Sequence, residues 1–422
     1  MDAAGPERTL LLQLLDEAIA AAHPDRVLPA ALPRRPPPGR TLVLGAGKAA
    51  AAMATCLSRH LDPPFTGAVV VPHGYEVPTP GGIALLEGGH PLPDNGSLSA
   101  ARRFLDEAAR LGPGDRLVFL ASGGGSAALA LPLPGLSLTE KREIVRHLLT
   151  CGTPIAAINC ARKHLSAIKG GRLGASATAR GAELCTLLIS DVAGDDPAAI
   201  ASGPTIGDPT TVDAARATLR SCDAPHAAVC ERLLAMPAAE TPKPGEFAGE
   251  VRLLANGATA LAAAADVARA AGYTIHDLGD RVEGEAREVA RAHADLARRL
   301  KSSGGRHLVV SGGELTVRRE GRTGGRGGPN LEYLVALALA LDGAPGIHAL
   351  AADSDGFDGT SGAAGALIAP DSLARARALG LDPAALLTAH DSRRLFADLG
   401  DLVETGPTGT NVNDLRFILI EN

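Results

Sequence analysis

Residues 41–50 read TLVLGAGKAA, and this stretch decides the fold. A short apolar strand runs into a glycine turn, and an alanine-rich helix former follows. The same unit recurs as GAVVVPHG at 67–74, RLVFLASGGG at 116–125 and ELCTLLISD at 183–191. Strands alternating with helices in this way predict an α/β fold with a parallel sheet covered on both faces. In such sheets ligands bind outside the carboxyl ends of the strands, where helix N-termini present free amides, so the turns carry the candidate site.

Outward from this core, residues 8–22 repeat apolar positions at helical spacing, and the proline-rich stretch Pro33–Gly39 reads as a loop. Residues 236–250, MPAAETPKPGEFAGE, lack periodicity and mark the expected domain boundary. Beyond them VRLLAN, a helix over 258–271, YTIHDLG, a helix over 285–300 and HLVVSGGE predict a second α/β unit. At 422 residues the chain exceeds the size at which single cores stop growing, so two domains are expected, 1–240 and 241–422.

Aromatic residues make up 2% of the chain and the formal net charge is −6, which leaves neither stacking platforms nor a basic footprint for nucleic acid. Six scattered cysteines without a C-x-x-C pair read as buried, reduced thiols. The absence of a basic n-region or a long apolar run predicts a cytoplasmic protein without membrane contact.

The first turn, Gly45-Ala46-Gly47-Lys48-Ala49-Ala50, has the form of a dinucleotide fingerprint, yet the next strand ends in Val71-Pro72-His73 without a ribose-binding acid. A Walker loop fails too, because Ala49 follows Lys48. A lysine at a helix start opposes the helix dipole and invites a bound anion; an ordinary exposed lysine is the alternative. Ser122-Gly123-Gly124-Gly125-Ser126 reads as a phosphate cradle, with close packing as its rival reading. Ser311-Gly312-Gly313-Glu314 is expected to form a similar turn in the second domain.

Two carboxylate-rich loops follow strands: Asp191, Asp195 and Asp196 in SDVAGDD, and Asp353, Asp355 and Asp358 in DSDGFDG. They suit a nucleotide-bound magnesium ion or a base for an alcohol; helix capping and turn formation are the alternatives. The twelve histidines show no zinc-ligand spacing, and His90 in GGHPLPDNGS is the one to watch.

Taken in order, GAGKAA (45–50), GGHPLPDNGS (88–97), ASGGGSAAL (121–129) and NCARKHLSAIKGGRL (159–173) resemble the class II glycerate kinases. So do SDVAGDDPAAIASGPTIGDPTT (190–211), SGGELTV (311–317), DSDGFDGTSGAAG (353–365) and GPTGTNVNDL (406–415). The resemblance implies a large Rossmann-like domain and a smaller domain containing a MOFRL region at about 306–415, with the active site in the cleft between them. It also implies ATP- and Mg2+-dependent phosphorylation of D-glycerate to 2-phosphoglycerate, with Lys48 at the transferring phosphoryl group. The family's G-G-R-N-x-E motif reads Gly327-Gly328-Pro329-Asn330-Leu331-Glu332 here, so Arg326 or Arg322 is expected to supply the displaced guanidinium.

The expected catalytic residues are Lys48, Asp191 and Arg326. Gly45, Gly47, Ser122 to Ser126, Gly312, Gly313, Glu314 and Asn330 are expected at the nucleotide, and Asp191, Asp195, Asp353 and Asp355 at the metal. His90, Arg162, Lys163, Lys169 and Arg172 are expected at the small hydroxy-acid substrate, and a homodimer is a further expectation. A nicotinamide-dependent hydroxypyruvate reductase and a non-catalytic nucleotide sensor are the rival readings.

Overall fold

Strand β1 (Thr41–Ala46) is buried along its whole length, as is β4 (Arg116–Ala121) beside it, and the two form the centre of a six-stranded sheet. The computed structural model describes residues 5–33, 37–61, 64–75, 78, 81–318 and 325–421. Arg322 lies outside them. The described chain divides into two compact units, residues 27–254 and residues 1–26 with 255–422.

In the first unit the strand order is β3-β2-β1-β4-β5-β6, with β2 at Phe65–Pro72, β3 at Ile83–Gly88, β5 at Glu183–Ile189 and β6 at Glu250–Ala255. Strands β1 to β5 are parallel. The chain leaves β1 in one direction and returns to β4 on its other side, so the carboxyl ends of β1 and β4 flank a topological switch point. With no tryptophan in the chain, Leu44, Val70, Phe104, Phe119 and Leu173 fill this core with alanines between them.

The second unit holds a mixed sheet in the order β13-β12-β11-β14-β9-β7. Its strands are β7 (Thr274–Asp277), β9 (His307–Gly313), β11 (Ile347–Asp353), β12 (Gly365–Ile368), β13 (Leu402–Val403) and β14 (Asp414–Ile420). Short β8 (Gly284–Glu285) and β10 (Leu315–Thr316) pair separately. Only β7 and β9 pair in parallel among the strands of the larger sheet; its other pairs are antiparallel. The helix Pro329–Leu341 packs into this core, burying Leu331, Tyr333, Leu334 and Leu337.

The unit division departs from the expected domains at two places. Strand β6, expected to open the second domain, completes the edge of the first sheet instead. The helix Pro6–Ala22 joins the second unit, where Arg8 pairs with Asp401 at 2.9 Å and Thr410 donates to the carbonyl of Ala22 at 2.8 Å. The cysteines also divide: Cys56, Cys160, Cys185 and Cys230 are buried as expected, whereas Cys151 is exposed and Cys222 partly so. Among the described residues no helix is long and apolar enough to cross a membrane.

Candidate functional site

Two glycine turns interlock at the switch point, and their amides go to different places. In the first turn the N–H of Gly47 donates to Val70 O (3.0 Å), that of Lys48 to Gly123 O (2.8 Å) and that of Ala49 to Ser122 Oγ (2.9 Å). This turn is closed to any anion. In the second, Ser122 N–H and Gly125 N–H are bonded to Ala46 O and Ser122 O. The N–H groups of Gly123, Gly124 and Ser126 find no acceptor among the described residues. Gly124 has φ +77°, which glycine adopts without steric cost, and the chain then enters the short helix Gly125–Ala128. Three unspent donors at the end of a central strand form a nest for negative oxygen atoms.

Side chains of three neighbouring segments crowd this turn. A methyl group built on Gly124 would meet Pro72 Cγ at 3.2 Å, Lys48 Cγ at 3.3 Å and His90 Cδ2 at 3.4 Å. Lys48 thus passes over the open turn, and its ammonium lies 5.5 Å from the Tyr75 ring centre. The His90 loop is anchored by Asp94, which caps the helix Asn95–Ala108 and accepts from His73 Nε2 at 2.8 Å. Burial pushes the Asp94 carboxyl up, but the bonds from His73 and Ser97 outweigh it and hold the group down at about 2.

Below the turn, Ala201, Ser202 and Gly203 are consecutive left-handed residues with φ 51°, 60° and 55°. Two of them carry side chains, and such backbone costs on the order of 1–3 kcal/mol per residue, which concentrates it at functional sites. The segment is wedged: Ser202 Oγ meets Ser126 Oγ at 2.8 Å, while the Ser202 and Gly203 carbonyls accept from Gly170 N–H (3.1 Å) and Gly171 N–H (2.7 Å).

Beside the open turn lies a cavity of about 190 Å3 lined by His90, Gly124, Ser126, Lys141, Arg162 and Lys169, among others. Lys169 is 1% exposed and donates to Ser126 O (2.6 Å) and Leu129 O (2.8 Å). Burial, then Lys141 and Arg162, hold its ammonium well below the usual lysine range. The other two basic residues expected at the substrate do structural work. Lys163 forms a buried ion pair with Asp208 at 2.6 Å, and Asp208 also accepts from Thr210 and Thr241. Arg172 spends its guanidinium on the carbonyls of Lys163 (3.0 Å), Lys169 (3.3 Å) and Ala239 (2.9 Å).

Lys141 and Arg142 are charged lining residues that the sequence reading missed; Lys141 is the buried one. It sits in the helix Leu138–Thr150 on the buried face shared with Ile144, Val145 and Leu148. That i, i+3, i+4, i+7 spacing was a usable signal, because a lysine in an apolar stripe is a buried lysine. Asp208 and Ser202 were missed as well; they lie inside a quoted motif, but nothing local marks which of its polar residues turn inward.

Asp191 lies two residues beyond the end of β5 and is partly buried, and Asp195 lies four residues on with φ 58°. Among the described residues no group of three acidic, histidine or cysteine side chains could hold a metal. Asp191 and Asp195 have the chemistry for magnesium that draws its remaining ligands from nucleotide phosphates and water.

In the second unit the expected residues have other surroundings. Gly312 and Gly313 are not a turn but part of β9, paired with Leu415 and Asp414, and the N–H of Gly312 donates to Gly279 O at 2.8 Å. Glu314 next to them is exposed. Asp353 and Asp355 accept from the N–H groups of Asp355 (3.0 Å) and Phe357 (2.8 Å), which fixes their loop. Asn330 is buried, its amide nitrogen donating to Asp414 (2.6 Å) and Asp358 (3.3 Å). Burial, then Asp414, push the Asp358 carboxyl up to about 7 while it caps the helix at Asn330 and Leu331. Arg326 is exposed; its N–H donates to Asp391 at 3.1 Å.

Residues 10–234 match a domain of unknown function (DUF4147), and residues 307–414 match the MOFRL family. The D-glycerate 2-kinase of Thermotoga maritima is 34% identical, over 98% of either chain. A protein of Agrobacterium vitis, provisionally named a hydroxypyruvate reductase, is 49% identical over 98% of this chain and 94% of its own. The crystal structure of the T. maritima glycerate kinase matches with a TM-score of 0.86 at 33% identity, covering 98% of this chain and 99% of that one. The chain belongs to the class II glycerate kinase family, with a DUF4147 region followed by a MOFRL region.

Proposed function

We propose that the protein transfers the γ-phosphoryl group of ATP to D-glycerate and releases 2-phosphoglycerate and ADP. The observation that carries this reading is the open glycine turn lying beside a cavity lined by cations. Phosphate oxygens accept from the N–H groups of Gly123, Gly124 and Ser126, and the carboxylate of glycerate enters the cavity toward Arg162. The alcohol attacks in line as the bond to ADP breaks, and its proton leaves to solvent. Such transfer demands positioning and charge stabilisation more than covalent help, and Lys48, passing over the turn, supplies a cation where charge accumulates. Magnesium, held through Asp191 and Asp195, would neutralise charge on the nucleotide phosphates. Arg326 is the candidate for the guanidinium displaced by Pro329.

The reductase name of the A. vitis relative prompts the second reading, and the closed first turn weighs against it. A dinucleotide needs the amides of that turn for its pyrophosphate, and Gly47, Lys48 and Ala49 have already spent theirs. Phosphorus NMR of the full-length protein with D-glycerate, ATP and magnesium tests the proposal. A 2-phosphoglycerate resonance is expected. A 3-phosphoglycerate resonance would overturn the position of transfer, and NADH consumption with hydroxypyruvate in the absence of any phosphorylated product would overturn the kinase itself.

A further inference from the structure

Burying an ammonium group is costly unless a counter-charge or full hydrogen bonding compensates. Lys141 is 3% exposed, and among the described residues its ammonium donates only to main-chain carbonyls, Leu165 O at 2.9 Å and Arg162 O at 3.4 Å. These carbonyls end the helix Ile155–His164, so Lys141 caps the segment that carries Arg162. Lys141, Arg142, Arg162 and Lys169 all line the same cavity, and among the described residues no carboxylate pairs with any of them.

Neighbouring charges do not relieve this excess. Lys163 and Asp208 neutralise each other, with His164 at 3.6 Å from the same carboxylate. Arg172 adds a further positive charge toward Lys141. On the helix of Lys141 itself, Glu140 and Glu143 face His226 at 3.9 and 2.6 Å, and Arg232 of the helix Ala227–Leu234 lies toward Glu140. The lining of the cavity therefore carries basic groups without a carboxylate counterpart among the described residues.

We propose that Lys141 is a positioning residue for the anionic substrate, one that holds the Arg162 end of its helix and takes up a proton as the substrate carboxylate enters the cavity. The inference rests on the placement of glycerate argued above. Burial, then Arg172 and Arg162, hold the Lys141 ammonium down to about 7. A carboxylate nearby raises it again, because an opposite charge favours the charged form. Affinity is therefore greatest below pH 7 and falls by up to about tenfold per pH unit above it, until the bound-state value is passed. Lys169 is held low by similar causes and acts in the same direction.

The test is titration calorimetry of the full chain with D-glycerate at pH 8 in buffers of different ionisation enthalpy, for wild type, Lys141→Arg and Lys141→Met. Wild type should take up roughly one proton more than either variant. Arginine stays charged, so Lys141→Arg should keep its pH 6.5 affinity within about threefold while losing the share of the pH dependence that Lys141 carries. Lys141→Met should bind about tenfold more weakly at pH 6.5, with the loss in KM rather than kcat. Equal proton uptake by all three proteins overturns the role of Lys141 and leaves the substrate placement standing. Absence of glycerate binding by wild type at every pH overturns both.

Discussion

The two glycine turns at the centre of the first sheet look alike in sequence and behave oppositely in structure. Gly45 to Ala49 is closed, with the N–H groups of Gly47, Lys48 and Ala49 bound to Val70, Gly123 and Ser122. Ser122 to Ser126 is open, with three amides unspent among the described residues. A glycine motif thus permits an anion site without making one; the fate of the amides decides. Substitution of Gly47 should break this contrast most severely. A Cβ there would stand 2.4 Å from Ser122 O and 2.5 Å from Ser122 Oγ, at a φ of +123°. Gly47→Ala should cost about 3 kcal/mol or more and lower the thermal midpoint by roughly 6–12 °C. An unchanged midpoint in a thermal scan would mean that the two turns are not locked together.

Lys48 connects the turns, since it starts from the closed one and its side chain lies over the open one. Lys48→Met should leave the midpoint within a few degrees and reduce kcat by about 100- to 1000-fold, the usual scale for losing one group that stabilises developing charge. Steady-state kinetics with D-glycerate and ATP measures it. Turnover close to wild type would remove Lys48 from the chemistry.

Gly124→Ala sharpens the comparison from the open side. Its added Cβ meets only side-chain atoms, at 3.2 to 3.4 Å, so the fold can adjust, but the left-handed φ of +77° penalises alanine. A stability cost of about 1–2 kcal/mol is expected. The tilted amides should raise KM for ATP by about tenfold, or about 1.4 kcal/mol. A variant with wild-type KM would argue that phosphate lies elsewhere.

Much of this arrangement was legible in the sequence because it is local. The apolar runs of β1, β4 and β5 and the turns behind them carry their own signals, and Arg162, Lys169 and His90 lie in motifs that the fold brings to one cavity. What was not legible depends on partners far along the chain. Gly312 and Gly313 lie in a strand because β14, about a hundred residues later, pairs with them. The helix Pro6–Ala22 joins the second unit through partners at Asp401 and Thr410. Arg162 and Lys163 are adjacent yet serve different ends, since successive helical residues point about 100° apart. Only Asp208, forty-five positions on, determines that Lys163 is paired.

Ser122 provides the finest division between the turns, because it belongs to the open one by sequence and to the closed one by bonding. It is fully buried, and its hydroxyl accepts from the N–H of Ala49, at the start of the helix Ala50–Ser58. A side-chain acceptor of this kind contributes about 1 kcal/mol. Ser122→Ala should therefore lower the midpoint by roughly 2–4 °C while leaving KM for ATP within about twofold, because the free donors belong to Gly123, Gly124 and Ser126. A large rise in KM with the midpoint unchanged would place the hydroxyl at the phosphate. A fall in KM for ATP would show that alanine frees the Ala49 N–H to reach the ligand, and that the first turn is closed by this one oxygen rather than by its backbone geometry.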